Sequence, residues 1–383
     1  MNNFEYYNPV NIVFGKGQIK KLKDLIPRGE KILITYGGGS IKRNGVYDQV
    51  IEALSDHDFI EFGGIEANPQ YETLMSACEL AKKEQISFLL AVGGGSVIDG
   101  TKFIAVAMHH SDDPWKILSQ RQSIQGATPL GSVLTLPATG SEMNTGSVVS
   151  RGKEKLGCFG DPRMYPKFSI LDPEVTYSLP ERQLGNGIVD SYVHVLEQYL
   201  TKDVNSPLQD RMAESILKTL IEEGPKVIHV KDDYASRANF MWCATMALNG
   251  LIGSGVIHDW ATHMIGHEIT AFHGVDHGRT LALVMPSLLR VQKEKKQNKL
   301  LQYADRVWNL SNGTPDERIE QAIILTEDFF NSLGVPTKLR AYNIKEEDIN
   351  TIVESVRSHI PVNLGENGDI DGEKIKTILM QAL

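Results

Sequence analysis

Asp190 and His194 stand four residues apart, and downstream lies a histidine cluster, His263, His267, His273 and His277. On a helix, a four-residue spacing puts two side chains on one face. One carboxylate and imidazoles from two separate helices could close on a single divalent ion and leave a position open for a substrate oxygen. Nitrogen and oxygen donors suit Fe(II) or Zn(II), and an open position marks a catalytic rather than a structural metal. His263 and His267 share a helix face, while His277 follows a loop that begins near His273–Gly274. His57, His109, His110, His229 and His359 are isolated and read as ordinary core or surface histidines. His258 precedes the helix and is left out of the ligand set.

A second chemistry is written near the N-terminus. Lys31–Tyr36 reads as a strand ending in Gly37, Gly38, Gly39 and Ser40, and Ser87–Val92 as another ending in Gly93, Gly94, Gly95 and Ser96. Glycines at a strand end let backbone N–H groups approach an anion, and a following helix N-terminus adds its positive end. Two such turns one βαβ unit apart predict a bound nucleotide. The run Gly95–Lys102 superficially resembles a phosphate loop, but its final order is Thr–Lys, so an ATPase reading fails. The first turn continues Ile41–Lys42–Arg43, with a hydroxyl, two cations and no carboxylate, which suits the extra 2′-phosphate of NADP. Asp99 is expected near the first turn of the second helix, as a partner for the nicotinamide end or in a salt bridge with Lys102. Metal and nucleotide in one chain predict an enzyme.

The elements that must position these residues divide the chain in two. Up to about residue 178, short β-like runs alternate with helical patterns such as Tyr71–Glu84. They are followed by a buried run at Gly131–Leu136, a hairpin over Val148–Phe159 and a strand at Phe168–Leu171. This predicts a parallel α/β sheet. From 179 to 383 helical patterns follow one another: Asn205–Glu223, Tyr234–Leu251, Trp260–Thr270, Lys299–Trp308, Asp316–Leu333 and Glu346–Ser358. Domains over 1–178 and 179–383 are expected to pack directly with a cleft between them.

Composition narrows the class. The 383 residues carry a net charge of −9, so no basic field invites nucleic acid or anionic lipid. Three scattered cysteines, Cys78, Cys158 and Cys243, support neither a thiolate metal site nor a disulfide framework. The N-terminus lacks the pattern of a signal peptide, and no apolar run approaches the roughly 20 residues of a membrane span. A cytoplasmic enzyme without nucleic-acid or membrane partners is expected.

Four motifs together resemble the iron-containing (group III) alcohol dehydrogenases over essentially the full length: GGGSVIDGTK (Gly93–Lys102), PATGSEMN (Pro137–Asn144), NGIVDSYVHVLEQY (Asn186–Tyr199) and the histidine segment Trp260–Gly278. Within that family, MALNGLIGSGV and LLQYADRVWN are similar to the bacterial NADPH-dependent aldehyde reductases and butanol dehydrogenases. The resemblance implies an α/β N-terminal dinucleotide-binding domain plus an all-α C-terminal domain, the fold shared with dehydroquinate synthase. It implies metal ligands at Asp190, His194, His263 and His277, and a substrate-side histidine at His267. It implies cofactor contacts at Gly37, Gly38, Gly39, Ser40, Gly94, Gly95, Ser96, Asp99, Thr135, Leu136, Thr139, Ser141, Asn144 and Lys155. Val175 stands where the family often has a larger apolar residue.

The expected reaction is reversible hydride transfer between NADP(H) and an aldehyde/primary alcohol pair, assisted by one Fe(II) or Zn(II). Water, the ribose hydroxyls or His267 would carry the proton, with Asp99 beside the nicotinamide. A homodimer is expected, pairing through Tyr6–Phe14. Three alternatives are weighed. A dehydroquinate-synthase-like lyase would need a dense basic pocket that the helical half lacks. A glycerol-dehydrogenase-like enzyme would prefer NAD. A metal hydrolase would leave both glycine turns unexplained.

Overall fold

The computed structural model describes residues 1–360 and 362–383. It divides into two compact units, Tyr7–Leu179 and Met1–Tyr6 with Pro180–Leu383. The first six residues therefore belong with the helices, where the Asn2 amide donates to Gly255 O at 2.9 Å. The 1–178 division places them instead with the α/β part.

The first unit contains β1 (Asn11–Phe14), α1 (Leu22–Leu25), β2 (Lys31–Tyr36), α2 (Val46–Ala53), β3 (Asp58–Phe62), α3 (Tyr71–Lys83), β4 (Phe88–Gly93), α4 (Gly95–Ala107), α5 (Trp115–Ser119), β5 (Leu130–Leu134), β6 (Ser147–Arg151), β7 (Glu154–Cys158) and β8 (Phe168–Leu171). Six strands form one parallel sheet in the order β1-β8-β5-β4-β2-β3, and β6 and β7 make the antiparallel hairpin. Every residue of β4 is buried, as a central parallel strand covered on both faces must be. Gly131 on β5 is small for a reason: a Cβ there would lie 2.3 Å from the Phe168 ring on β8. That ring stacks on Phe88 at 6.0 Å between centroids.

From β2 the chain moves outward to β3, and from β4 it moves the other way to β5. The neighbouring carboxyl ends of β2 and β4 are thus a topological switch point, where α/β sheets bind ligands.

The second unit is helical: α6 (Glu181–Tyr199), α7 (Pro207–His229), α8 (Tyr234–Ala247), α9 (Ala261–His273), α10 (His277–Val291), α11 (Gln297–Arg306), α12 (Pro315–Ser332), α13 (Glu346–His359) and α14 (Gly372–Gln381). At its centre α6 packs on α7, α8 and α10, and α10 also packs on α9. Nearly every α6 side chain from Gly187 to Tyr199 is buried, so a polar residue on its inner face needs a partner. No helix among the described residues is long and apolar enough to cross a membrane.

Candidate functional site

The predicted metal-binding residues come together. Asp190 and His194 lie one turn apart on α6, His263 in the first turn of α9, and His277 at the start of α10. Three helices, rather than two, supply the set. Asp190 Oδ1 stands 3.6 Å from His194 Nδ1, 3.8 Å from His263 Nε2 and 3.7 Å from His277 Nε2. One ligand atom each from Asp190, His263 and His277 lie within 4.8 Å of one another. The His194 ring stacks on that of His263 at 4.6 Å.

Bonds of about 2.0–2.2 Å to a central ion would set tetrahedral donors roughly 3.3–3.5 Å apart; the distances from Asp190 Oδ1 come close to this, while His194 stands outside the group of three whose donors all lie within 4.8 Å of one another. Asp190 Oδ1, His194 Nδ1 and His263 Nε2 are buried without a hydrogen-bond partner among the described residues. Orphaned buried donors and acceptors are costly, and a divalent cation answers all three. The residues present fit such an ion.

The electrostatics agree. Burial pushes the Asp190 carboxyl up, but His194, His263 and His277 more than offset this and hold it well below the usual carboxylate range. Burial lowers His194 to about 4, so its imidazole is neutral and able to coordinate. Burial also works against a charged His263, yet Glu197 and Asp190 bring it up to about 9, so without an ion this ring holds a proton that a bound cation would displace.

The close approach of α10 to α6 depends on Gly278, where a Cβ would meet Asn186 O at 2.3 Å. His267, one turn beyond His263 on α9, has its ring 6.4 Å from that of His263 and 5.0 Å from that of His277. His273 is the last residue of α9, well along the helix from His263. The isolated histidines bond elsewhere: His57 with Ile26 O, His109 with Thr128, His110 with Gln122 and His359 with Glu268.

Two residues at this centre escaped the sequence analysis. Glu197 accepts the His263 Nδ1 proton, and Trp260 packs its ring against both His194 and His263. The signal for Glu197 was present: Asp190, His194 and Glu197 follow i, i+4, i+7 spacing, one stripe of a helix.

The predicted cofactor residues gather at the carboxyl ends of three adjacent strands. Gly37–Ser40 follow β2, Gly94–Asp99 follow β4, and Thr135–Asn144 follow β5. Gly95 opens α4 and abuts Thr139, whose Oγ1 would lie 2.3 Å from an added Cβ. Gly94 packs likewise on Leu136 at 3.1 Å, and Thr135 N donates to Gly93 O at 3.0 Å. The Ser96 hydroxyl donates to Ala67 O. Asn144 Nδ2 reaches Thr139 O at 3.4 Å, and Lys155 on β7 donates to Asn68 Oδ1 at 3.0 Å.

Three details depart from expectation. The first glycine turn leads into a 3-10 turn, Ser40–Lys42, and not directly into an α-helix, so only the second turn sits at an α-helix N-terminus. Asp99 is the fifth residue of α4, beyond its first turn. Burial pushes the Asp99 carboxyl up, and it accepts the Ser141 hydroxyl and, at 2.9 Å, the Val148 amide. Lys102 donates instead to Ser141, Asn144 and Gly146 O.

Thirdly, the Lys42 region does have a carboxylate. Parallel pairing with β2 brings Glu61 of β3 alongside, and its oxygens accept Lys42 Nζ at 2.8 Å, Tyr36 OH at 3.0 Å and Tyr47 OH.

Comparison with known proteins places this geometry. The family model described as iron-containing alcohol dehydrogenase matches residues 9–173, and its C-terminal counterpart, the Fe-containing alcohol dehydrogenase family C-terminal model, matches residues 186–383. The chain belongs to the iron-containing alcohol dehydrogenases. It is 54% identical over 376 residues to the NADPH-dependent aldehyde reductase YqhD of Escherichia coli, covering 97% of each chain. A crystal structure of that E. coli protein superposes with a TM-score of 0.98 at 52% identity, covering 100% of this chain and 99% of the other. A probable NADH-dependent butanol dehydrogenase of Bacillus subtilis is 41% identical over 390 residues, covering 100% of each chain. An iron-containing alcohol dehydrogenase has a parallel α/β part and an all-helical part, and both are present here.

Proposed function

We propose that this protein is a metal-dependent oxidoreductase that moves hydride between NADP(H) and an aldehyde/primary alcohol pair, run preferentially towards the alcohol. The observation that carries the proposal is the group of Asp190, His194, His263 and His277, the first three buried and His277 partly so, in which a nitrogen of each histidine lies within 3.8 Å of Asp190 Oδ1 and buried atoms of Asp190, His194 and His263 have no other partner among the described residues. These four residues would hold one Fe(II) or Zn(II). When bound, the ion supplies a Lewis acid for the carbonyl oxygen and NADPH supplies the hydride.

The chain's own residues do the rest. Asp190 contributes the one negative charge that partly neutralises the divalent ion. The burial of α6 keeps bulk water from competing at Asp190 and His194. His267, beside His277, would hand a proton to the alcohol oxygen, with water and the nucleotide ribose hydroxyls as the other routes. Gly37–Ser40 and Gly94–Ser96 would cradle the dinucleotide phosphates through backbone N–H groups, with Thr135, Leu136, Thr139, Ser141, Asn144 and Lys155 along the same strand ends. Asp99 is assigned to the nicotinamide end, held by Ser141 and Val148.

NADPH is preferred over NADH in this reading because the 54%-identical relative is NADPH-dependent and because Glu61, the acid paired with Lys42 beside the first turn, is already engaged by three donors. Short- to medium-chain aldehydes are the proposed substrates. We further propose a cytoplasmic homodimer in which β1, at one edge of the sheet, takes part in pairing. The full-length family match leaves no support for a nucleotide-independent hydrolase.

The test follows the near-ultraviolet absorbance of NADPH or NADH with butanal, before and after chelation. Rapid NADPH loss, abolished by chelator and restored by iron or zinc, is expected. No oxidation with either nucleotide would overturn the proposal, and a strong preference for NADH would overturn its NADP component.

A further inference from the structure

Helix α9 is only partly capped by its own segment: Asp259 Oδ1 accepts Ala261 N at 2.9 Å. Its N-cap residue is Trp260, held at φ 64° with no side-chain hydrogen bond to the first turn. Helix N-termini leave several N–H groups unsatisfied, and here that first turn carries His263. The acceptor for the next amide, that of Thr262, comes from α6. Glu197 is 2% exposed, and its Oε1 accepts Thr262 N at 2.6 Å while its Oε2 accepts His263 Nδ1. Its backbone carbonyl also accepts Asp259 N at 2.9 Å, just ahead of the helix.

We infer that Glu197 is a positioning residue that caps α9 from a neighbouring helix and, with its second oxygen, fixes which nitrogen of His263 faces the metal. The inference rests on the four-residue metal reading above. A neutral imidazole has one donor nitrogen and one acceptor nitrogen. A carboxylate can only accept, so it holds the proton on Nδ1 and leaves the Nε2 lone pair directed towards Asp190 Oδ1, 3.8 Å away. Such outer partners orient a ligating histidine and raise its basicity.

Two jobs need two acceptor oxygens, and this separates Glu197 from an isosteric amide. In Glu197→Gln, if the amide oxygen serves Thr262 N, the amide NH2 faces Nδ1 and drives the proton onto Nε2, where the ion would sit. If the oxygen serves His263 instead, the NH2 opposes the Thr262 N–H and the cap is lost. Packing volume is unchanged in both cases.

The experiment strips the full-length protein of metal and titrates zinc against a chromophoric chelator. E197Q is expected to bind zinc on the order of 10–100-fold more weakly than the natural chain, with the circular dichroism of the metal-free protein unchanged. Zinc affinity equal to that of the natural chain would overturn the inference. Should E197Q not fold, nitrogen-15 spectra of the zinc-loaded natural protein decide instead: His263 must carry its proton on Nδ1, and a proton on Nε2 overturns the assignment. Asp190→Ala separates this inference from the metal reading. If D190A keeps full zinc affinity, the metal reading falls and this inference with it; if only E197Q keeps it, the inference alone falls.

Discussion

Asn186 Nδ2 donates to Asp276 Oδ2 across 2.8 Å, which ties α6 one turn ahead of Asp190 to the residue immediately before His277. Arg182 Nε reaches the same oxygen at 2.7 Å. Burial alone would push the Asp276 carboxyl up, but these two partners hold it below its ordinary value. The start of α10 is thereby clamped to the helix that carries the other half of the metal set.

Loosening that clamp should cost metal before it costs fold. Asp276→Ala removes the shared acceptor, and because its side chain is 38% exposed the loss should sit near the low end of outer-partner effects, roughly tenfold in zinc affinity. Gly278→Ala should do more. Its Cβ would meet backbone, Asn186 O at 2.3 Å, and backbone cannot swing aside. A loss of about 1–3 kcal/mol in stability together with weaker zinc binding is expected. Chelator competition and thermal melts on the two variants check the order; a Gly278→Ala protein that binds zinc better than Asp276→Ala would contradict it.

Removing a ligand should separate the two chemistries. Asp190→Ala deletes the oxygen against which all three imidazoles are arranged. Metal Lewis acidity supplies several kcal/mol of transition-state stabilisation, so turnover should fall by more than about a thousandfold. NADPH affinity should stay within a few-fold, since the glycine turns lie in the other unit. Steady-state rates and fluorescence titration of NADPH measure the two sides, and parallel loss of both would argue against independent sites.

Much of this arrangement was legible in the sequence because it is local. The i, i+4 pair on α6 and the glycine turns after β2 and β4 declare themselves within a few residues. What was missed is non-local or has no contrast. Helix α10 runs unbroken through Pro286, whereas a proline inside a helical pattern reads along the chain as a break. Strand β3, DFIEF, is a partly exposed edge strand whose importance lies in delivering Glu61 to Lys42, a contact that spacing along the chain cannot reveal. The N-terminal six residues join the helical unit through Gly255, again a tertiary event.

That Lys42–Glu61 pair makes the two cations of the first glycine turn unequal. Lys42 is paired with Glu61 and lies over the rings of Tyr36 and Tyr47 at 4.9 and 4.6 Å, whereas Arg43 is an exposed residue at the end of the 3-10 turn. Arg43→Ala should therefore raise the KM for NADPH more than Lys42→Ala does, by roughly 3- to 10-fold, the scale of about 1 kcal/mol for one exposed charge interaction. The KM for NADH, which lacks the extra phosphate, should hardly change. Equal effects of the two variants would mean that the pairing with Glu61 gives way when the nucleotide binds.

Acid stability offers a test remote from the chemistry. Asp369 accepts Lys295 Nζ at 2.5 Å and also Lys374 Nζ, joining the turn between α10 and α11 to α14. Burial alone would push its carboxyl up, yet the two lysines bring it down to about 2, against about 3.9 in an unfolded chain. A group held lower in the folded state contributes its stability in full above the unfolded value and loses it as the pH falls through the folded one. With Lys295 half-exposed, the contribution should be about 1–2 kcal/mol after screening. Urea midpoints of the natural chain and Asp369→Asn should differ at pH values above about 4 and converge as the pH approaches 2. A gap that does not change with pH would show that the carboxylate charge is not what holds α14 in place.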